Sequence, residues 1–174
     1  MIEPWKKLDE TIIPVGYRTI IRKTFELPDG KRSVYDIAGD GDVVCILALT
    51  PDQEVVLVRQ FRPGPEAILL ELPGGFIDPG QTPAEAARAE LLQETGYDGD
   101  IEFVTTRPFS GYSNRVYHSF VATNCRPIQK QNLDPEEFLE VVTLSLKDFR
   151  EHLKNGWLVD TVTGYAALDK LNLL

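Results

Sequence analysis

Glu90 and Glu94 lie four residues apart in a stretch whose composition favours a helix. In a helix this spacing places both carboxylates on one face, with Gln93 beside them. Like charges so placed repel each other, but carboxylate oxygens are also ligands that Mg²⁺ prefers when it bridges to substrate phosphates. Gly74 and Gly75, in the preceding loop, can bring backbone groups close to a ligand, or can simply form a turn. The pattern indicates either a divalent-metal site or a solvated helix face.

The helix that carries the two glutamates has defined ends in the sequence. Thr82 can cap the first turn, Pro83 suits the first helical position, and Glu85 can return a hydrogen bond to the cap. Gly96 suits the left-handed conformation in which many helices end. The sequence therefore predicts a helix between Thr82 and Gly96.

Strand-like runs occupy much of the remaining chain. Two of them flank a Pro-Asp-Gly turn signal at residues 28–30, which predicts an N-terminal hairpin. Two more flank residues 50–52, and their nearly continuous apolar character is typical of strands covered on both faces. Other strand-like runs are ILLEL before the glycine loop and IEFVTTRPF, RVYHSFVAT and EFLEVVTLSL after the helix.

The C-terminal stretch is predicted to be helical. Ser145 and Asp148 form a start that resembles a capping box, Gly156 provides a stop, and the residues from 160 onward carry apolar side chains at helical spacing. Mixed strands with one helix in the middle and further helices at the end predict an α+β fold, in which a mixed sheet lies between helices.

Composition limits the classes of partner. The 174 residues suffice for one well-buried domain. A net charge of −9 argues against nucleic-acid binding, and a phosphate ligand would need a cation between it and the protein. Cys45 and Cys125 lack the spacing of a zinc site or a disulfide framework and are expected to be reduced thiols. The apolar runs are too short to span a bilayer, so we expect a cytoplasmic protein without a membrane partner.

Residues 75 to 97 resemble the Nudix box, the metal-binding motif of the Nudix hydrolase family. The positions that match it in register are Gly75, Glu90, Leu91, Glu94, Gly96 and Tyr97. Three positions depart from it, since Gln81 and Gln93 replace glutamates of the motif and Ala89 replaces its arginine. The flanking stretches, over roughly residues 17 to 170, are similar to the ADP-ribose pyrophosphatase branch of the family.

The resemblance implies a Nudix fold whose box helix holds Mg²⁺, or alternatively Mn²⁺, against a diphosphate. It makes Glu90 and Glu94 the primary metal ligands, with the carbonyl of Gly74 as a third. Gln93 is a further metal-ligand position, but its amide has no charge, so a lower cation affinity is expected.

Members of the family often take a general base, or another ligand, from an acidic loop after the sheet. Here Glu136 is the first choice and Glu137 the second, with Asp134 in the same loop. A base must lie within hydrogen-bond reach of the attacking water, directly or through another water. The alternative is an ordinary acidic turn before a strand.

Five residues are predicted to bind substrate, most of them with a plainer alternative. Arg59 and Arg62 can meet phosphate, because a guanidinium matches its oxygens, or can form surface ion pairs. Glu71 and Gly75 adjoin the ligand at the glycine loop, where Glu71 can bind ribose hydroxyls or support the metal. Trp5 can stack on a base in a cleft shared by two subunits, or can be an aromatic side chain of the interface.

The resemblance implies a metal-dependent pyrophosphohydrolase that cleaves a nucleoside diphosphate linked to another group. ADP-ribose, giving AMP and ribose 5-phosphate, is the leading substrate. Residues 1–40 are expected to form the hairpin segment of a homodimer and residues 41–174 the Nudix domain. The three departures from the motif favour an alternative, a Nudix-fold module that binds a nucleotide with weak or no catalysis.

Overall fold

The computed structural model describes all 174 residues, which form nine strands and three helices. The strands are β1 (Lys6–Val15), β2 (Arg18–Glu26), β3 (Arg32–Ala38), β4 (Val43–Leu49), β5 (Glu54–Arg62), β6 (Ala67–Glu71), β7 (Tyr97–Pro108), β8 (Val116–Pro127) and β9 (Leu139–Ser145). The helices are α1 (Pro83–Thr95), α2 (Leu146–Asn155) and α3 (Thr161–Lys170). None of the three helices has the length and hydropathy that crossing a membrane requires.

Contacts within the chain divide it into two compact units, one of residues 1–42 and 107–117, the other of residues 43–106 and 118–174. In the first unit β1, β2 and β3 form an antiparallel sheet in that order. The expected hairpin is confirmed as β2 and β3, whereas β1 was not predicted and extends the hairpin to three strands. Ala38 at the end of β3 pairs with Ser113, which joins the 107–117 segment to this sheet.

The first unit also contains an aromatic cavity of about 470 Å³. Trp5 packs against Phe25 and Tyr35, with ring centroids 6.3 and 5.9 Å away, and Tyr35 stacks on Tyr112. The residues that line the cavity are these four aromatic side chains with Lys23, Ile37, Gly111, Ser113 and Asn114.

The second unit is built on a six-stranded mixed sheet in the order β6-β5-β4-β8-β7, with β9 paired to β5. Every residue of β4 is buried, which confirms that this strand is covered on both faces. Cys45, Leu47 and Leu49 belong to one core with side chains of α2 and α3. The alternate residues Val44, Ile46 and Ala48 belong to a second core with side chains of α1. The sheet therefore lies between α1 on one face and the two C-terminal helices on the other.

The ends of α1 agree with the sequence in detail. The Thr82 side chain accepts a hydrogen bond from the Glu85 backbone N–H, the Glu85 carboxylate accepts one from the Thr82 N–H, and Gly96 adopts a left-handed φ of 75°. In α2, Ser145 caps the first turn and Gly156 ends the helix at the same φ. Cys45 and Cys125 are free and buried.

Candidate active site

Glu94 is a buried carboxylate on α1, with only 4% of its surface exposed. Its Oε2 accepts a hydrogen bond of 2.9 Å from the backbone N–H of Gly74. Burial raises the pKa of Glu94 to about 8, and the Gly74 N–H opposes this rise, while the neighbouring charge of Glu90 adds to it. The chain thus holds a carboxylate where water cannot solvate its charged form.

Glu90 stands one turn before Glu94, with its carboxyl group against the backbone of Gly75. A Cβ added at Gly75 would lie 2.6 Å from the carboxyl carbon of Glu90, so glycine is required for this approach. Burial raises the pKa of Glu90 to about 7, and the charges of Glu137, Asp134 and Asp78 raise it further. Two helical carboxylates and a loop of further acids therefore share one region.

The glycine loop runs alongside β4 as a short extended segment. The N–H of Ile46 donates to the carbonyl of Pro73, and the N–H of Val44 donates to the carbonyl of Gly75, both over 2.9 Å. Successive carbonyls of an extended chain point in opposite directions, which directs the Gly74 carbonyl away from β4. A side chain at Gly74 would overlap the carbonyl of Val44 and come within 2.9 Å of the Cα of Cys45.

The acidic loop before β9 forms a closed turn. The N–H of Glu137 donates to the carbonyl of Asp134 over 2.9 Å, and the N–H of Asp134 donates back to the Glu137 carboxylate over 3.1 Å. Glu137 and Asp134 are among the charges that raise the pKa of Glu90, and Glu136 is not. This charge effect favours Glu137, the second choice from the sequence, over Glu136.

The side chains of this region fit a divalent cation. Two carboxylates that are largely removed from water repel each other. A hard cation that binds oxygen ligands would offset both the cost of burying these charges and their mutual repulsion. Gln93 is partly buried on the same helix and offers only a neutral amide. No three His, Cys, Asp or Glu side chains are gathered closely enough in the chain to hold a metal by themselves. The Gly74 carbonyl, which is directed away from β4, offers an additional oxygen beside the two carboxylates.

Arg62 and Glu71 form an ion pair on the α1 face of the sheet. Nε of Arg62 lies 2.9 and 3.0 Å from the carboxylate oxygens of Glu71, Nη2 lies 2.5 Å away, and Gln60 donates to the same carboxylate over 3.0 Å. Glu71 is 2% exposed, whereas the side chain of Arg62 is 45% exposed. Glu71, which was predicted to bind ribose or support the metal, is thus paired with Arg62. The charge of Arg62 also opposes the rise in the pKa of Glu94.

The other predicted residues lie in different surroundings. Arg59 forms an exposed ion pair with Glu140, the plainer of its two alternatives, and Trp5 belongs to the aromatic cavity of the first unit. Arg88, next to the box position occupied by Ala89, pairs with Asp98. It is therefore not available to orient the carboxylates of the box.

Gln60 and Asp78 also influence the acidic side chains of this region, and neither was predicted from the sequence. Gln60 lies on the same face of β5 as Arg62, because alternate residues of a strand share a face. This spacing in the sequence would have predicted that the two side chains lie together. The charge of Asp78, in the loop between β6 and α1, raises the pKa of Glu90, and no local sequence pattern reveals that effect.

Comparisons with known proteins agree with this architecture. Residues 40–162 match the NUDIX domain. The chain is 33% identical over 146 residues to the ADP-ribose pyrophosphatase of Bacillus subtilis, covering 81% of this chain and 78% of that protein. It is 34% identical to the ADP-sugar pyrophosphatase of Mus musculus, covering 86% and 71%. The crystal structure of an ADP compounds hydrolase has the same fold, with a TM-score of 0.81 and 22% identity over 100% of this chain and 99% of that one. The chain belongs to the Nudix hydrolase family.

Proposed function

We propose that this chain is a divalent-metal-dependent pyrophosphohydrolase that cleaves ADP-ribose to AMP and ribose 5-phosphate. The observation that carries the proposal is the pair of carboxylates on α1, the half-buried Glu90 and the buried Glu94, which lie against the glycine loop with pKa values raised to about 7 and 8. Relatives that are ADP-ribose and ADP-sugar pyrophosphatases, similar over most of their length, support the substrate class.

Glu90, Glu94 and the Gly74 carbonyl are the proposed ligands of Mg²⁺, with Mn²⁺ as an alternative and Gln93 as a weak neutral ligand. The bound ion would stabilise the charge on the phosphoryl oxygens and would activate a water molecule as the nucleophile. Within the protein, the Gly74 N–H fixes one oxygen of Glu94, and the close approach of Gly75 fixes Glu90. The two contacts pre-orient the site, so that little rearrangement accompanies binding.

Two further side chains have proposed roles at the diphosphate. Glu137 is the proposed general base, because its charge acts on Glu90 and its carboxylate is held by the Asp134 N–H. Arg62 uses Nε and Nη2 on Glu71, and the exposed remainder of its guanidinium is proposed to meet a phosphate oxygen. Arg59 remains a candidate for the same contact only if it leaves Glu140.

The first unit is proposed to serve base recognition and assembly. Its aromatic cavity has a volume within the range of small-molecule sites, about 300–1,000 Å³, and Trp5 is one of the rings that line it. The sheet of β1, β2 and β3 exposes large apolar side chains, which supports residues 1–40 as the contact segment of a homodimer. These side chains are Ile12 and Val15 of β1 and Val34 of β3, with Tyr17 in the turn between β1 and β2.

The test is an assay of purified protein with ADP-ribose and other nucleotide sugars in Mg²⁺ or Mn²⁺, with AMP and ribose 5-phosphate resolved by chromatography. We expect metal-dependent release of AMP from ADP-ribose. Glu90→Gln combined with Glu94→Gln should abolish it while the protein stays folded by circular dichroism. Hydrolysis that is unchanged in this double variant, or in excess EDTA, would overturn the proposal.

A second candidate function is a nucleotide-binding module without turnover. It is favoured by the neutral amide of Gln93, which stands where the Nudix box has a charged glutamate. Tight calorimetric binding of ADP-ribose, with no product after prolonged incubation in either metal, would select it over the hydrolase.

A further inference from the structure

We propose that Gln131 is a positioning residue, which fastens the acidic turn of residues 134–137 to the helix that carries Glu90 and Glu94. The inference rests on the proposed function of that site, because it concerns how the general base is held. Gln131 precedes the acidic turn by only three residues and lies outside the Nudix-box match of residues 75 to 97.

The segment of residues 128–132 binds the last carbonyls of α1. Nε2 of Gln131 donates to the backbone carbonyl of Glu94 over 2.6 Å, and the N–H of Asn132 donates to the carbonyl of Gln93 over 2.9 Å. The carbonyl of Gly96 accepts from Ile128 over 2.9 Å and from Gln129 over 3.3 Å. Since the last four carbonyls of a helix lack partners within it, the segment supplies donors that the helix end requires.

Gln131 differs from the other donors of this segment because it acts through its side chain. Its amide reaches the carbonyl of the residue whose carboxylate is the buried metal-ligand candidate. Donors are favoured at this end of a helix, where the dipole is negative, and an acceptor there is repelled. A change of donor to acceptor at residue 131 therefore acts directly on the attachment.

The acidic turn follows the attachment almost at once. Asp134 begins two residues after Asn132, and the turn is closed by the two hydrogen bonds between Asp134 and Glu137. A turn closed on itself moves as a body, so its distance from Glu90 depends on the attachment before it and on β9 after it. Gln131 thus controls the approach of Glu137 to the helix without touching substrate.

The experiment compares three variants of the full chain. Gln131→Glu has the same shape but cannot donate when ionised, while Gln131→Lys keeps a donor and favours the helix end. Gln129→Glu adds the same charge two residues away through an exposed side chain and is the matched control. For ADP-ribose hydrolysis we expect kcat to fall about tenfold or more in Gln131→Glu, with KM changed less than about threefold. Gln131→Lys and Gln129→Glu should stay within about threefold of the wild type.

A double-mutant cycle with Glu137→Gln separates positioning from general damage. Because Gln131 acts through Glu137, Gln131→Glu should lower kcat little further in the Glu137→Gln background. The proposal would be overturned if the two substitutions lowered kcat by factors that multiply in the double variant. It would also be overturned if Gln131→Lys lowered kcat as much as Gln131→Glu does.

Hydrogen exchange provides a readout that does not need activity. The amides of Asn132 and Glu137 should exchange faster in Gln131→Glu than in Gln129→Glu, with the same Tm in both. Unchanged exchange at these amides would refute the attachment. If the wild type hydrolyses nothing while exchange responds as expected, the proposed function fails and the attachment stands.

Discussion

The backbone N–H of Gly74 and Oε2 of Glu94 are joined by a hydrogen bond of 2.9 Å, which ties the glycine loop to the box helix. Gly74 also lies so close to β4 that no side chain fits between them. The strand, the loop and the helix therefore fix one carboxylate oxygen together. The proposed metal site therefore depends on three elements that are separated in sequence.

The stability of the metal-free protein should fall as pH rises. Glu90 and Glu94 have pKa values raised from 4.5 to about 7 and about 8, so the folded state holds protons that the unfolded state releases. Their contribution is full below pH 4.5 and is lost as pH rises through the folded values near 7 and 8. We expect Tm in EDTA to drop by about 5 °C over this range, measured by calorimetry. The drop should shrink in Glu90→Gln with Glu94→Gln, and an equal drop there would assign it to other groups.

Added Mg²⁺ should reverse the trend. Metal ligation needs deprotonated carboxylates, so binding releases protons and strengthens with pH. The rise in Tm that Mg²⁺ produces should therefore be larger at pH 8.5 than at pH 6. A rise that is the same at both pH values would place the ion away from these two side chains.

Gly75→Ala should damage the site while sparing the fold. Its Cβ would overlap the carboxyl group of Glu90, which must rotate away, whereas Gly64→Ala meets nothing within 4 Å and is the matched control. We expect kcat/KM for ADP-ribose to fall more than about tenfold in Gly75→Ala and to stay near wild type in Gly64→Ala. A fully active Gly75→Ala variant would show that the observed place of Glu90 is not the catalytic one.

The parts of the fold that could be predicted from the sequence are those that local chemistry determines. The capping box of Thr82 and Glu85 and the stop at Gly96 act within a few residues, and both ends of α1 are as expected. β4 was recognisable because a continuous apolar run is typical of a strand buried on both faces. β1 was not recognisable, because it exposes most of its side chains and owes its conformation to pairing with β2.

In the candidate site, too, local features could be predicted from the sequence and those set by strand pairing could not. Glu90 and Glu94 could be paired from helical spacing, and the resemblance supplied their chemistry. The bond between Arg62 and Glu71 depends on the register of β5 and β6, in which Val58 stands opposite Glu71. A register cannot be read from either strand alone. The sequence made Glu136 the first choice over Glu137, but their placement depends on how the turn before β9 folds, which the hydrogen bonds between Asp134 and Glu137 determine.

Gln93→Glu should restore a charged ligand to the box helix. The amide at this position contributes no charge, and a carboxylate would attract the cation more strongly. We expect Mg²⁺ to bind about tenfold more tightly, a gain of about 1.4 kcal/mol, by titration calorimetry. Gln81→Glu, at the other neutral box position, is the comparison, because Gln81 is exposed and accepts a hydrogen bond from the Asp78 N–H. Equal gains in both variants would point to general charge attraction instead of ligation.

Arg62 should contribute to both stability and catalysis, and a pair of variants separates the two. Arg62→Met leaves the buried Glu71 without its cation, which should lower the free energy of unfolding by about 3 kcal/mol in urea. Adding Glu71→Leu removes the stranded charge and should recover most of that loss. Hydrolysis should remain impaired in the stable double variant, because no guanidinium is left for the phosphate. Recovery of hydrolysis together with stability would limit Arg62 to a structural role.

Gly96 and Gly156 end two helices at the same φ of 75°, and comparing them isolates one contact. Gly156→Ala meets nothing within 4 Å and should cost only the left-handed conformation, about 1 kcal/mol. Gly96→Ala pays the same conformational cost and would also overlap the carbonyl of Gln129. Its free energy of unfolding in urea should fall by about 3 kcal/mol. Because the overlap pushes the 128–132 segment off α1, kcat should fall in Gly96→Ala and not in Gly156→Ala. Equal stability losses in the two variants would mean that the segment yields freely and does not hold the acidic turn.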